Sequence, residues 1–233
     1  MTTSPPVVIF DCDGTLLDTE PAYLEAESAI AARHGGVTLE KFKTVVPRLL
    51  GTVPLDSARI VIEEFQLPIT PEQYLSERDE LTSKLFPHVG ILPGCERLVT
   101  HLQSCGIPFG IATSSSRKMF LLKMKNKQEW LHTFKAVVTG DDVAHGKPHP
   151  EIFEKAARAL GSDPGPHCIV FEDAPAGIQA GRAAGGMRCV GLVNEFTNRS
   201  LYQDAGAEIL LSSMEEFLTS DCLEQFGLPP FPS

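Results

Sequence analysis

The sequence predicts an α/β fold: a doubly wound, Rossmann-like parallel sheet with a small helical domain inserted after the first strand. Short apolar runs recur along the chain and are continuous rather than alternating, which is typical of strands covered on both faces. Helical patterns separate the later runs, and this alternation favours a parallel sheet. The predicted strands are 7–10, 109–112, 136–138, 168–171, 187–193 and 208–211.

Residues 17–86 interrupt this rhythm, because they contain helical patterns and no clear strand. We interpret them as a helical cap, and residues 1–16 plus 87–233 as the core. The cap follows the loop of the first strand, so we expect it to project over the carboxyl ends of the strands, where such sheets form their sites. The helical patterns are 21–33, 56–65 and 71–86 in the cap, and 95–105, 151–160 and 175–184 in the core.

The composition argues against several classes of function. With 20 basic and 30 acidic side chains the formal net charge is −10, and no dense basic run occurs, so we expect no nucleic-acid partner. The best basic cluster, residues 118–127, holds four lysines and is interpreted as the solvated face of a helix. No stretch has the length of a transmembrane helix and no signal peptide is visible, so we expect no membrane partner.

The six cysteines are scattered and form no Cys-x-x-Cys pair, which argues against a zinc finger or a thioredoxin-type motif. Cys12, Cys168 and Cys189 lie in or beside apolar runs and are interpreted as small buried hydrophobic residues. Scattered free thiols are typical of a reducing compartment, so we expect a cytoplasmic protein. For the proline-rich tail, residues 227–233, we expect an extended arm that either packs on the core or frays.

The sharpest chemical signal is Asp11-Cys12-Asp13-Gly14-Thr15, directly after the first predicted strand. Two carboxylates two residues apart on a loop can converge on one cation and one phosphate. Asp11 could attack phosphorus, and Asp13 could protonate the leaving oxygen and then deprotonate water. The alternatives are an ordinary turn or a calcium loop, and the calcium loop lacks its closing glutamate.

Hydroxyl side chains follow the second predicted strand, in Thr113-Ser114-Ser115-Ser116. Hydroxyls and free N–H groups between a strand and a helix can cradle a phosphate. The alternative is that the serines cap the helix that begins near Arg117.

A single lysine lies in the turn Gly146-Lys147-Pro148-His149-Pro150. The prolines restrict the backbone, so Lys147 could point to a fixed place and neutralise both Asp11 and a phosphate oxygen. The alternative is a solvated lysine in a turn that starts a helix. His145 and His149 could suggest a metal site, but histidines of this kind are more often structural or exposed.

Two acids, Glu172 and Asp173, end the fourth predicted strand. Asp173 could bind Mg²⁺, which prefers oxygen ligands, and Glu172 could bind the metal secondarily or hold Lys147. The alternative is that Asp173 caps the helix that follows.

Together these four motifs resemble those of the haloacid dehalogenase superfamily, and the match runs from about residue 7 to 220. Each motif follows a separate apolar run, and the ends of parallel strands meet at one edge of a sheet. A closer likeness, carried mainly by core segments such as Gly140-Asp141-Asp142, is to the pseudouridine-5′-phosphatase-like members.

The resemblance implies a Mg²⁺-dependent phosphomonoester hydrolase that forms an aspartyl-phosphate. The implied substrate is a small phosphorylated metabolite, such as pseudouridine 5′-phosphate or a sugar or polyol phosphate, and the implied state is a monomer. The roles it implies are Asp11 as nucleophile, Asp13 as acid and base with its carbonyl on the metal, Thr113, Ser114 and Lys147 as phosphate-binding groups, and Asp11, Asp173 and secondarily Glu172 as metal ligands.

We expect residues of the cap to select the substrate. Glu20, Arg48 and Gly51 are the predicted substrate contacts, with His34 and Lys41 as further candidates, and exposed cap surface is the alternative for each. Gly51 and residues 35–36 are predicted flexible points. A sugar-phosphate mutase of the β-phosphoglucomutase type stays open, because Arg48 could hold a second phosphate.

Overall fold

The computed structural model describes residues 5–49, 54–194 and 197–231, apart from the side chains of Pro47 and Ser220. Its centre is a parallel sheet of six strands: β1 (Val7–Phe10), β2 (Phe109–Ala112), β3 (Ala136–Val138), β4 (Cys168–Glu172), β5 (Arg188–Leu192) and β6 (Ile209–Leu211). The order across the sheet is β3-β2-β1-β4-β5-β6, and every pair is parallel. The predicted doubly wound sheet is confirmed, and each strand end lies within one residue of its prediction.

Hydrophobic clusters cover both faces of the sheet. Val8 and Phe10 pack into one cluster, and Val7 and Ile9 pack into the other. Successive side chains of a strand point to opposite faces, so a strand covered on both sides has apolar residues at every position. This is why the sequence shows a continuous apolar run at β1.

Residues 20–88, which follow β1, form a helical insert, and its described residues have a hydrophobic cluster of their own, which includes Ile30, Phe42 and Val61. The three predicted helices are present, and two further short ones follow the first. The boundaries of the predicted cap, 17 and 86, stay a prediction. The helices are α1 (Glu20–Gly35), α2 (Leu39–Lys43), α3 (Val46–Leu49), α4 (Pro54–Phe65) and α5 (Pro71–Leu85), followed by a 3₁₀ turn, Phe86–His88.

The remaining helices lie on the two faces of the sheet. Those that pack into the cluster of Phe10 are α6 (Cys95–Ser104), α7 (Arg117–Lys123), α8 (Gln128–Leu131), α12 (Met214–Phe217) and α13 (Ser220–Gln225). Those that pack into the cluster of Ile9 are α9 (Glu151–Ala159), α10 (Pro175–Ala183) and α11 (Arg199–Asp204). Among the described residues, no helix has both the length and the apolar character needed to cross a bilayer.

Buried cysteines and a packed tail complete the core. Cys12, Cys168 and Cys189 are buried, as expected of small hydrophobic residues. The tail packs on the core as far as Phe231, whose ring stacks on His101 at 4.0 Å between centroids.

The predicted flexible point at residues 35–36 is the end of α1. Gly36 has a φ of 62° and stops the helix in the left-handed conformation, with its N–H donating to the Ala32 carbonyl at 2.9 Å. A Cβ on Gly35 would come within 2.6 Å of Leu67. These glycines therefore end a helix and allow close packing.

The buried carboxyl of Glu27 on α1 makes the stability of the insert sensitive to pH. Burial raises the pKa of Glu27 to about 7, and Arg78, 3.6 Å away, only partly offsets this. The folded-state pKa lies above the ordinary value of 4.5, so the free energy of unfolding falls as pH rises from 4.5 to about 7.

We expect Glu27→Gln to remove this dependence. The difference in the free energy of unfolding between the variant and the wild type, measured by urea denaturation, should be about 2 kcal/mol larger in favour of the variant at about pH 8 than at about pH 5. Glu25→Gln, exposed on the same helix, is the matched control and should show no such gain. An equal difference at both pH values would contradict this account of Glu27.

Candidate active site

The side chain of Lys147 joins the carboxyl ends of three strands. Its Nζ donates to Asp11 Oδ1 at 2.5 Å, to the Ala112 carbonyl at 3.1 Å and to Glu172 Oε1 at 2.8 Å. All three charged side chains are almost entirely buried. The predicted lysine turn, nucleophile loop and acidic loop therefore meet at one place.

Strand register is the reason for this meeting. Phe10 of β1 lies opposite Ile111 of β2 and opposite Phe171 of β4. The three strands consequently end level with one another, and the residues that follow them emerge side by side.

Asp173 lies against the first loop. Gly14 has a φ of 70°, and a Cβ at that position would overlap the Asp173 carboxylate. The Thr15 hydroxyl donates to Asp173 Oδ1 at 3.5 Å, and the Tyr202 hydroxyl donates to the Asp173 carbonyl at 2.6 Å. A glycine is thus required at position 14, both for the backbone conformation and for the approach of this carboxylate.

The acidic pair does not cap the helix that follows it. The N-cap of α10 is Ala174, which has no side-chain cap. The Ala174 N–H instead donates to Glu172 Oε2 at 2.7 Å, while Oε1 accepts from Lys147. The capping alternative for Asp173 is wrong, because its carboxylate faces Gly14.

The members of the hydroxyl loop, residues 113–116, have different partners. Ser116 caps α7, since its Oγ accepts from the Met119 N–H at 3.4 Å. Thr113 is buried and its Oγ1 accepts from the Ser115 N–H at 3.1 Å, whereas Ser114 is exposed. The capping interpretation thus holds for Ser116 and leaves Thr113 and Ser114 beside the end of β2.

The solvated-face interpretation of residues 118–127 is wrong for Lys123. This lysine has no exposed surface, and its Nζ donates to Asp13 Oδ1 at 2.5 Å and to Ser115 Oγ at 2.7 Å. Ser115 Oγ donates to Asp13 Oδ2 at 2.9 Å. The spacing of Phe120, Lys123 and Met124 was the available signal, because residues three and four apart share a helix face and both apolar members are buried.

Three comparisons with known proteins bear on this geometry. Residues 5–185 match the family model described as haloacid dehalogenase-like hydrolase. The chain belongs to the haloacid dehalogenase-like hydrolases.

Relatives of this hydrolase cover nearly its whole length. It is 36% identical over 231 residues to (DL)-glycerol-3-phosphatase 2 of Arabidopsis thaliana, covering 96% of this chain and 92% of the relative. It is 37% identical over 227 residues to a "Probable pseudouridine-5′-phosphatase" of Drosophila melanogaster, covering 96% and 94%. A solved hydrolase of Entamoeba histolytica from the same family superimposes with a TM-score of 0.77 at 26% identity, covering 95% and 98%. The predicted family and the predicted enzyme class, a phosphatase, are confirmed.

The pKa values in this hydrolase show where buried negative charge exceeds the positive charge beside it. Burial raises the pKa of Asp11 to about 7, because Lys147 offsets it only in part and Glu172 adds to it. Burial, Glu172 and Asp11 together raise the pKa of Asp173 well above its usual range. Burial also acts on Asp13, but the charge and hydrogen bond of Lys123 outweigh it and lower that pKa.

The predicted substrate contacts of the hydrolase have different surroundings. Glu20 is close enough for its charge to raise the pKa of Asp173. Arg48 pairs with Glu64 at 2.5 Å, His34 pairs with Glu77 at 2.8 Å, and Lys41 lies over the ring of Phe65 at 5.8 Å. Gly51 lies outside the described residues.

The histidine pair of the lysine turn gathers with Glu151 on the surface. The Glu151 carboxylate accepts from the Ala144 and His145 N–H groups and pairs with Lys155 at 2.7 Å. His149 Nδ1 accepts from the Glu151 N–H at 3.3 Å. These contacts satisfy the start of α9, which favours the structural interpretation of the pair.

Gly177 of α10 leaves the space that Glu172 fills, because a Cβ there would overlap the Glu172 carboxylate. We expect Gly177→Ala to displace Glu172 from Lys147 and to lower the free energy of unfolding by about 1–3 kcal/mol in urea denaturation. Gly90→Ala is the control, since a Cβ there meets no atom within 4 Å. A Gly177→Ala protein as stable and active as the wild type would rule out this constraint.

Proposed function

We propose that this hydrolase is a Mg²⁺-dependent phosphomonoesterase that acts on a small phosphorylated metabolite through an aspartyl-phosphate on Asp11. The observation that carries the proposal is the Lys147 ammonium held between Asp11 and Glu172 at the ends of three strands. The names of the relatives, a glycerol-3-phosphatase and a pseudouridine-5′-phosphatase, support a small phosphate ester as substrate.

The donor groups at this edge fit a magnesium ion. The Asp11 and Asp173 carboxylates and the Asp13 carbonyl would hold it, with Glu172 as a secondary ligand, and such an oxygen-only set is what Mg²⁺ prefers. The raised pKa values of Asp11 and Asp173 indicate buried negative charge that the two lysines do not balance. When bound, the ion would supply charge that keeps Asp11 ionised and admits a phosphate dianion.

The side chains of this chain divide the reaction into two steps. Asp11 Oδ1 is held by Lys147, which leaves Oδ2 to attack phosphorus while the bond to the leaving oxygen breaks. Asp13, protonated as the phosphate dianion approaches, gives its proton to that oxygen. Asp13 then takes a proton from water, whose oxygen attacks phosphorus and releases the Asp11 carboxylate and inorganic phosphate. Thr113, Ser114 and Lys147 would hold the phosphate oxygens.

We further propose a monomeric, cytoplasmic enzyme without nucleic-acid or membrane partners. The six cysteines are free thiols, which stay reduced in the cytoplasm. A net charge of −10 does not favour a polyanion.

We expect Asp11→Asn to lose about 10³-fold or more of kcat/KM, because the amide cannot form the acyl phosphate. Phosphate release would be measured over nucleotides, sugar phosphates and polyol phosphates, including pseudouridine 5′-phosphate. Asp18→Asn, exposed in the same loop, is the matched control and should keep full activity. Equal hydrolysis by Asp11→Asn and wild type would refute the assigned nucleophile.

Measuring the isomerisation of a sugar 1-phosphate beside phosphate release tests the mutase alternative. A mutase needs a basic group on the insert for the second phosphate, and the candidate Arg48 is already paired with Glu64. Isomerisation of a sugar 1-phosphate that outruns phosphate release would replace the phosphatase with a mutase.

We expect chelation with EDTA to abolish phosphate release and added Mg²⁺ to restore it. Ca²⁺ should inhibit in competition with Mg²⁺, because a larger ion with looser geometry would misplace Asp11. Steady-state rates across a titration of each ion provide the measurement. Undiminished activity in EDTA would contradict the metal-dependent site.

A further inference from the structure

Lys123 lies where the helical insert meets the core. It is the last residue of α7 in the core, and its ammonium is surrounded on the other side by the insert and the turn that ends it. The Tyr23 hydroxyl of α1 lies 3.4 Å from Nζ, and the ring centroids of Phe86 and Tyr23 lie 4.6 Å and 5.5 Å from it. Aromatic faces attract a cation, most strongly where water is excluded.

On the core side the ammonium completes a closed triangle. Asp13, Ser115 and Lys123 each contact the other two, at 2.5, 2.7 and 2.9 Å. Both carboxylate oxygens of Asp13 are occupied, one by the lysine and one by the serine, so the side chain is held in a single orientation.

Stability does not explain a lysine at this position. Burying an ammonium costs several kcal/mol, and well-packed apolar replacements of buried ion pairs are often neutral or stabilising. The neighbours Phe120 and Met124 show that the surroundings accept apolar side chains. The contact with Asp13 is therefore the feature that sets Lys123 apart.

We propose that Lys123 is a positioning residue that aims the Asp13 carboxylate and makes this aim depend on the seating of the insert. The inference rests on the proposed role of Asp13 as proton donor and acceptor. Withdrawal of Tyr23 and Phe86 would open the ammonium to water, and the attraction between opposite charges weakens as the effective dielectric constant rises. Asp13 would then lose its fixed orientation, so proton transfer is in place only while the insert is closed on the core.

The test compares two phosphate esters that differ in their need for a proton. The leaving group of p-nitrophenyl phosphate departs as a stable anion, whereas that of glycerol 2-phosphate must be protonated. For Lys123→Met we expect kcat/KM to fall about 10²-fold with glycerol 2-phosphate and less than about fivefold with p-nitrophenyl phosphate. The ratio of the two values does not depend on the folded fraction, so partial misfolding cannot imitate this result.

Two further variants sharpen the comparison. Lys118→Met, exposed on the same helix, removes the same charge and should leave the ratio unchanged. In an Asp13→Asn background, Lys123→Met should change the ratio no further, because residues that act through one another are not additive. Equal losses on both esters, or a full additional loss in the double variant, would overturn the role of Lys123.

The contribution of the insert is tested at Tyr23. Tyr23→Leu removes the hydroxyl and the aromatic face, and we expect the same selective loss, of about tenfold. An unchanged ratio in Tyr23→Leu would overturn the dependence on the insert. Phosphate release that survives Asp11→Asn would overturn the proposed function and the role of Lys123 with it, whereas loss in Asp11→Asn without the selective pattern in Lys123→Met would overturn only the latter.

Discussion

The site depends on one buried ammonium, that of Lys147, which holds the ends of β1, β2 and β4 together. A buried positive charge is tolerated only when negative groups surround it, and here a carboxylate follows β1, another ends β4 and a carbonyl ends β2. Parallel register brings these groups level, and the lysine contacts all three. Fold and chemistry are therefore linked through a single side chain from the turn before α9.

A second buried ammonium separates the behaviour of two neighbouring carboxylates. Asp11 shares Lys147 with Glu172, so burial prevails and its pKa rises to about 7. Asp13 has Lys123 and Ser115 to itself, and its pKa falls. Two acids only two residues apart thus have opposite tendencies. The proposed reaction needs the reverse order, an ionised Asp11 and a proton on Asp13, which the charges of a bound Mg²⁺ and of the phosphate dianion would supply.

The insert also contacts the buried lysine beside Asp13. Its own cluster around Ile30 and Phe42 makes it a packed unit, and Tyr23 brings that unit to Lys123. The family match extends over the core and the insert, from residue 5 to 185. In the proposed mechanism, the seating of the insert on the core and the alignment of Asp13 are parts of one movement.

The sequence alone determined the strands, the main helices and the four chemical motifs, because apolar periodicity and turn residues act over a few positions. It predicted Asp11, Asp13, Lys147 and Asp173 as site residues for the same reason: each lies in a short motif at a strand end. Only the tertiary structure decided the place of Lys123, whose partner Asp13 is 110 positions away. A lysine in a basic stretch is ordinarily solvated, and its burial depends on what the insert and the first loop bring against it.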